Sequence, residues 1–170
     1  TKIMTALLVL EAIDRGELRF EQEITATASA VSGLPADAST AGIKGGEVLT
    51  VEQLLYCLMV SSANEVGNIF AETISGSQDA FVQLMNDYAI QLGASNSYFV
   101  TPDGWDHAQQ HTTIYDLAKI SAHAMQLEGI RNIASSRSKY VVFASGENIT
   151  WTNTNSLLQP DSSYYLPDAI

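Results

Sequence analysis

Apolar residues crowd the first fourteen positions of the chain. Ile3, Met4, Leu7, Leu8, Leu10 and Ile13 fall on more than one face of a 3.6-residue period, which predicts a helix over 2–14 buried on most sides. Arg15-Gly16 ends it, Gly16 being suited to a left-handed cap. Glu23 to Thr27 reads as a short strand, and the Gly-, Ala- and Ser-rich stretch from Ser29 to Gly46, which contains Pro35, reads as loop. A second helix begins at Thr50, where Gln53 completes a capping-box pattern. Its body, Leu54 to Val60, is apolar nearly all round. Ser61-Ser62-Ala63-Asn64 interrupts it, and helical spacing resumes from Glu65 to Ile74. Another helix runs from about Ser77 to Leu92, closed by Gly93. A loop from Tyr98 to His111 leads to a helix that starts at the Thr113–Asp116 cap pair and ends near Leu127. After a helical turn at Ile130 to Ala134, two strands, Lys139 to Ala144 and Asn148 to Thr152, flank Ser145-Gly146. Helices packed densely in the middle with strands late in the chain predict an α/β (α+β) fold, present here mainly as its helical subdomain with a few short strands.

Composition narrows the functions this pattern can serve. Nineteen acidic and eight basic residues give a net charge of −11 and a pI near 4.4. That excludes a nucleic-acid partner, which needs a basic footprint, and a polybasic membrane face. At 46% apolar with a mean hydropathy of +0.05, 170 residues can form one substantial core. No apolar run is long enough to span a bilayer, and no signal-peptide pattern is present. Cys57 lies inside an apolar helical run and reads as a packed core thiol, with no partner for an internal disulfide. Asp103, Asp106, His107 and His111 supply donor atoms, but Pro102 and Gly104 make their segment a loop, so solvated side chains are expected there in place of a metal site. Asn148-Ile149-Thr150 fits a glycosylation pattern that is common by chance.

Two positions carry candidate chemistry. At the helix junction, Ser62 and Asn64 have a plain reading, which the residues alone favour: Ser62 caps the next helix and Asn64 faces water. The other reading presents a hydroxyl and a carboxamide together into a cleft. Lys2 likewise is either solvated near a chain end or a base made neutral by burial and by the positive end of its own helix. Together, Lys2, Ser62 and Asn64 point to a serine-type acyl-transfer site in which a lysine replaces histidine.

The stretch Thr1-Lys2-Ile3-Met4-Thr5-Ala6-Leu7-Leu8-Val9-Leu10-Glu11 resembles the active-site segment of serine D-alanyl-D-alanine carboxypeptidases, the low-molecular-mass penicillin-binding proteins of peptidase family S11. Their motif is Ser-x-x-Lys, typically continuing Ile-Met-Thr-Ala. Lys2 matches its lysine, which puts the motif serine two residues before Thr1, outside these 170 residues. Ser62-Ala63-Asn64 matches the second motif, Ser-x-Asn, and is followed by Glu65-Val66 where the family has an acid and Ala. Thr101-Pro102-Asp103-Gly104-Trp105-Asp106 is similar to the family's Asn-Pro-His-Gly-Leu-Asp, with Asp103 in the place of His. His111 to Ala118 resembles the stretch that follows, and Asn153-Thr154-Asn155-Ser156-Leu157-Leu158 is similar to Asn-x-Asn-x-Leu-Leu. The third motif, Lys-Thr-Gly, is expected just after Asp168-Ala169-Ile170. Residues 1–170 are thus expected to be a single partial catalytic domain of β-lactamase/transpeptidase-like fold.

The resemblance implies an enzyme outside the cytoplasmic membrane that removes the terminal D-Ala from peptidoglycan stem peptides through an acyl-enzyme and is acylated by β-lactams. It implies Lys2 as the base, Ser62 as a proton relay, Asn64 as a substrate and lysine ligand, and no metal or organic cofactor. Membrane anchoring would lie outside the segment, and the segment by itself is expected to be inactive. Two alternatives share the scaffold: a class A β-lactamase, and a non-catalytic wall-associated domain.

Overall fold

The computed structural model describes residues 1–166 and Ala169. The expectation tied to Asp168 and Ile170, a following Lys-Thr-Gly strand, lies outside the described residues. Helix α1 (Lys2–Asp14) runs through the centre of the molecule, with Met4 to Leu10 and Ala12 all buried. Each large apolar side chain removed from water there contributes about 1.5–3 kcal/mol, which is why a helix with so little amphipathic character belongs inside. Gly16, at φ +75°, turns the chain away from it.

Strand β1 (Glu23–Thr25) pairs antiparallel with β2 (Val48–Thr50), placing Ile24 opposite Leu49. The region between them, expected to be loop throughout, contains a short helix, α2 (Ala28–Val31), because the Thr27 hydroxyl accepts the Ala30 N–H and starts a turn. The expected capping box is present: Thr50 Oγ1 accepts from Gln53 N–H at 3.2 Å, and Gln53 Oε1 accepts from Thr50 N–H at 2.8 Å. It opens α3 (Val51–Tyr56), which widens into a π-helical turn over Cys57–Ser61 before α4 (Asn64–Ser75).

Helix α5 (Gln78–Gln91) follows, capped by the Ser77 hydroxyl. Helix α6 (Ile114–Ala124) is capped by Thr113 and ends three residues before the expected Leu127, and α7 (Glu128–Ala134) starts two residues before the expected Ile130. The Tyr88 hydroxyl of α5 donates to Glu11 of α1 at 2.8 Å and lies 3.3 Å from His123 Nε2 of α6, so one hydroxyl ties three helices. Strands β3 (Ser138–Val142) and β4 (Asn148–Thr152) form the expected hairpin, with Gly146 at φ +87° in its turn. A 3-10 turn over Ser156–Leu158 closes the described chain. Among the described residues no helix is long and apolar enough to cross a membrane.

Candidate active site

The site is built where the head of α1, the α3–α4 junction and the Tyr98–His111 loop meet. The π-helical turn carries the junction. It lengthens the last turn of the helix, so Ser61 Oγ donates to the Cys57 carbonyl at 2.8 Å and the Val60 carbonyl is taken by the Thr154 N–H at 3.1 Å. Thr154 is held in turn by Asn153, whose buried amide donates to the Ala134 and Ser136 carbonyls at 3.1 and 2.8 Å. The Asn153–Leu158 stretch is therefore a knot that pins the junction from outside.

Ser62 leaves this turn in the left-handed region, φ 59° and ψ 32°, where no other non-glycine among the described residues has a positive φ. An L-residue there is strained, and such strain concentrates at functional corners. The plain reading of the junction fails on two counts. The first residue outside α4 is Ala63, and the helix has no side-chain cap, so Ser62 is not capping it. Asn64 is only 5% exposed and is not solvated.

Lys2 and Asn64 are brought together: Lys2 Nζ donates to Asn64 Oδ1 at 3.1 Å, across 62 positions of sequence. The Asn64 amide nitrogen then donates to Asp103 Oδ2 at 2.9 Å, and Asp103 Oδ1 accepts the Trp105 N–H at 2.9 Å. Lys2 is half-buried at the first position of α1, with no acidic residue in that turn. Burial holds its ammonium below the ordinary lysine value, and the negative charges of Asp103 and then Glu65 oppose the shift. The side chains of Lys2 and Asn64 touch, and Ser62 stands two residues from Asn64 on the same strained corner.

Glu65 is fully buried beneath this corner. Its Oε1 accepts from the Thr40 hydroxyl at 2.7 Å and from the Ala41 N–H at 2.8 Å, while Oε2 has no partner among the described residues. Through that bond and the Asn64 N–H to Ser39 carbonyl bond of 2.8 Å, the loop after α2 is fastened along the corner. Asp103, left without a role by the sequence, is the residue that sequence reasoning missed; its signal was an acid in an ordered Pro-x-Gly loop.

The other candidates fall outside the cluster. Cys57 is fully buried, and burial pushes its thiol far up, leaving it neutral as a core thiol should be. His107 and His111 are exposed, with His107 Nδ1 accepting the Gln109 N–H at 3.2 Å and His111 stacked on Tyr98. Among the described residues, no group of three or more His, Cys, Asp or Glu side chains converges.

The profile of peptidase family S11, D-alanyl-D-alanine carboxypeptidase, matches residues 1–165. The chain belongs to that family. Among its curated members, D-alanyl-D-alanine carboxypeptidase DacF of Bacillus subtilis is 30% identical over 159 residues, covering 94% of this chain and 40% of the relative. The D-alanyl-D-alanine carboxypeptidase of Streptomyces sp. strain K15 is 33% identical over 176 residues, covering 96% of this chain and 58% of the relative. Among solved structures, penicillin-binding protein 6B of Escherichia coli superposes with a TM-score of 0.85 at 30% identity, covering 96% of this chain and 51% of that one. The Streptomyces K15 DD-transpeptidase gives a TM-score of 0.84 at 29% identity, over 95% of this chain and 65% of that one. The expected penicillin-binding/transpeptidase fold is thus observed. The chain spans about half the length of these relatives, and the β-lactamase alternative draws no support from them.

Proposed function

We propose that the protein carrying these residues is a serine-type D-alanyl-D-alanine carboxypeptidase of the bacterial cell envelope. It acts on peptidoglycan stem peptides outside the cytoplasmic membrane and is acylated by β-lactams at the same serine. The observation that carries this reading is the half-buried Lys2–Asn64 hydrogen bond beside the strained Ser62 corner.

In this reading the family's Ser-x-x-Lys serine attacks the carbonyl carbon of the penultimate D-Ala, and its hydroxyl proton passes to neutral Lys2 Nζ. Backbone N–H groups stabilise the tetrahedral oxyanion. The C–N bond breaks as Lys2 passes that proton through the Ser62 hydroxyl to the departing D-Ala amine, leaving an ester on the serine, with Ser62 reprotonated and Lys2 neutral again. Water then attacks the ester while giving up a proton to Lys2, and as the ester C–O bond breaks Lys2 returns that proton to the serine oxygen, restoring the serine. Asn64 holds Lys2 through its carbonyl oxygen and serves as a hydrogen-bonding group for the substrate amide. A base lowered by burial is suited to this task, because only neutral Lys2 can accept the proton. No step calls for a metal or organic cofactor.

The full-length protein is expected to release free D-Ala from a peptide ending in D-Ala-D-Ala, with release lost in the Ser62→Ala variant at unchanged melting temperature. A full-length protein that folds and binds the peptide without releasing D-Ala would favour a non-catalytic wall-associated domain.

A further inference from the structure

Asp103 belongs to a loop, yet three contacts pin its backbone. The Thr5 hydroxyl of α1 donates to the Pro102 carbonyl at 2.6 Å. Gly67 of α4 lies against it so closely that a Cβ there would stand 2.9 Å from Asp103 Cα. Gly104 takes φ +82°, and a Cβ on it would meet Thr1 Cβ at 2.8 Å. The side chain is equally constrained: Oδ1 is used by the Trp105 N–H and Oδ2 by the Asn64 amide, both at 2.9 Å. Asp103 and Asn64 are each 5% exposed, so water does not compete for these bonds.

The chemistry of the pair sets a direction. A carboxylate only accepts, so the Asn64 atom facing Asp103 must be the NH2, which turns the Asn64 carbonyl toward Lys2. The alternative orientation has a specific cost to a lysine base. A flipped carboxamide would point its NH2 at Lys2 Nζ, and a neutral amine would accept that hydrogen bond with its only lone pair. The lone pair would then be unavailable for a hydroxyl proton.

We infer that Asp103 is a positioning residue: it locks the Asn64 carboxamide with its carbonyl toward Lys2, so that an N–H of Lys2 is engaged and the lone pair stays free. This rests on the reading of Lys2 as the base. The charged groups that face Lys2 are Asp103 from the loop and Glu65 from α4. The Asp103 charge favours the ammonium form of Lys2, so its removal moves the pH at which Lys2 becomes neutral downward.

The test uses the full-length protein and the rate of covalent labelling by a fluorescent penicillin across pH. Asp103→Ala is expected to slow labelling by about 10- to 100-fold, the scale of effect that misplacing a catalytic group produces. In an Asn64→Ala background the same change is expected to cost less than about twofold, because the amide it orients is gone. Asp103→Asn, which keeps the shape, is expected to move the acidic limb of the rate profile to lower pH. Losses that multiply in the double variant, or an Asp103→Asn limb that does not move, would overturn the inference while leaving the function standing. Wild-type protein that never labels would overturn the function, and the inference with it. Where Asp103→Ala fails to reach a native melting transition, the Asp103→Asn change in labelling rate is compared in the wild-type and Asn64→Ala backgrounds, and losses that multiply overturn the inference.

Discussion

At the scale of single residues, the site depends on side chains held where they would not rest by themselves. Ser62 occupies the left-handed region at a cost of roughly 1–2 kcal/mol that glycine would not incur. Ser62→Gly is therefore expected to raise stability by about 0.5–1 kcal/mol, somewhat less than the full strain because glycine adds freedom to the unfolded chain. The same variant should label with penicillin far more slowly than wild type. Urea denaturation and labelling rates check both halves, and a Ser62→Gly protein that is less stable than wild type would mean the corner is not strained. Lys2 follows the same logic. Burial lowers its affinity for a proton, and Asp103 and Glu65 restore part of it, so its proton affinity reflects a balance set by neighbours distant in sequence.

At the scale of elements, the contacts that assemble the site run between segments distant in sequence. The Thr5 to Pro102 bond ties the buried face of α1 to the Asp103 loop. Thr5→Val keeps the shape of the side chain and leaves the buried Pro102 carbonyl unpaired, so it is expected to cost about 1–3 kcal/mol in denaturant unfolding. A change below about 0.5 kcal/mol would show that the loop is held by its glycine contacts alone.

The same distinction explains what the sequence discloses. Helix α1, the Thr50 capping box, the Thr113 cap and the β3–β4 hairpin are local patterns, and they are legible as such. Helix α2 was hidden because a single threonine cap starts it inside a Gly- and Ser-rich stretch. The π-helical turn was hidden because a run of apolar residues looks the same at either helical pitch. The cap reading of the junction fails for a related reason: nothing near Ser62 in sequence reveals that Thr154 takes the Val60 carbonyl, or that Asp103 takes the Asn64 amide. Lys2 and Ser62-Ala63-Asn64 were legible as motifs, whereas the bond between Lys2 and Asn64 required the fold.

At the scale of the whole molecule, family membership and a shared fold place this chain among proteins about twice its length in part, with its helical subdomain carrying the lysine and the Ser-x-Asn corner. Nineteen acidic against eight basic residues give these 170 residues a net charge of −11, opposite in sign to what a polyanionic partner requires. The central claim is that Lys2 serves as a neutral base, and the pH dependence of penicillin labelling in the full-length protein tests it most directly. Wild type is expected to label at a rate that climbs with pH along a limb below the ordinary lysine range, and Lys2→Ala to label slower by at least about 100-fold, the contribution a positioned base makes. Labelling of Lys2→Ala at the wild-type rate, with the same pH limb, would contradict the account.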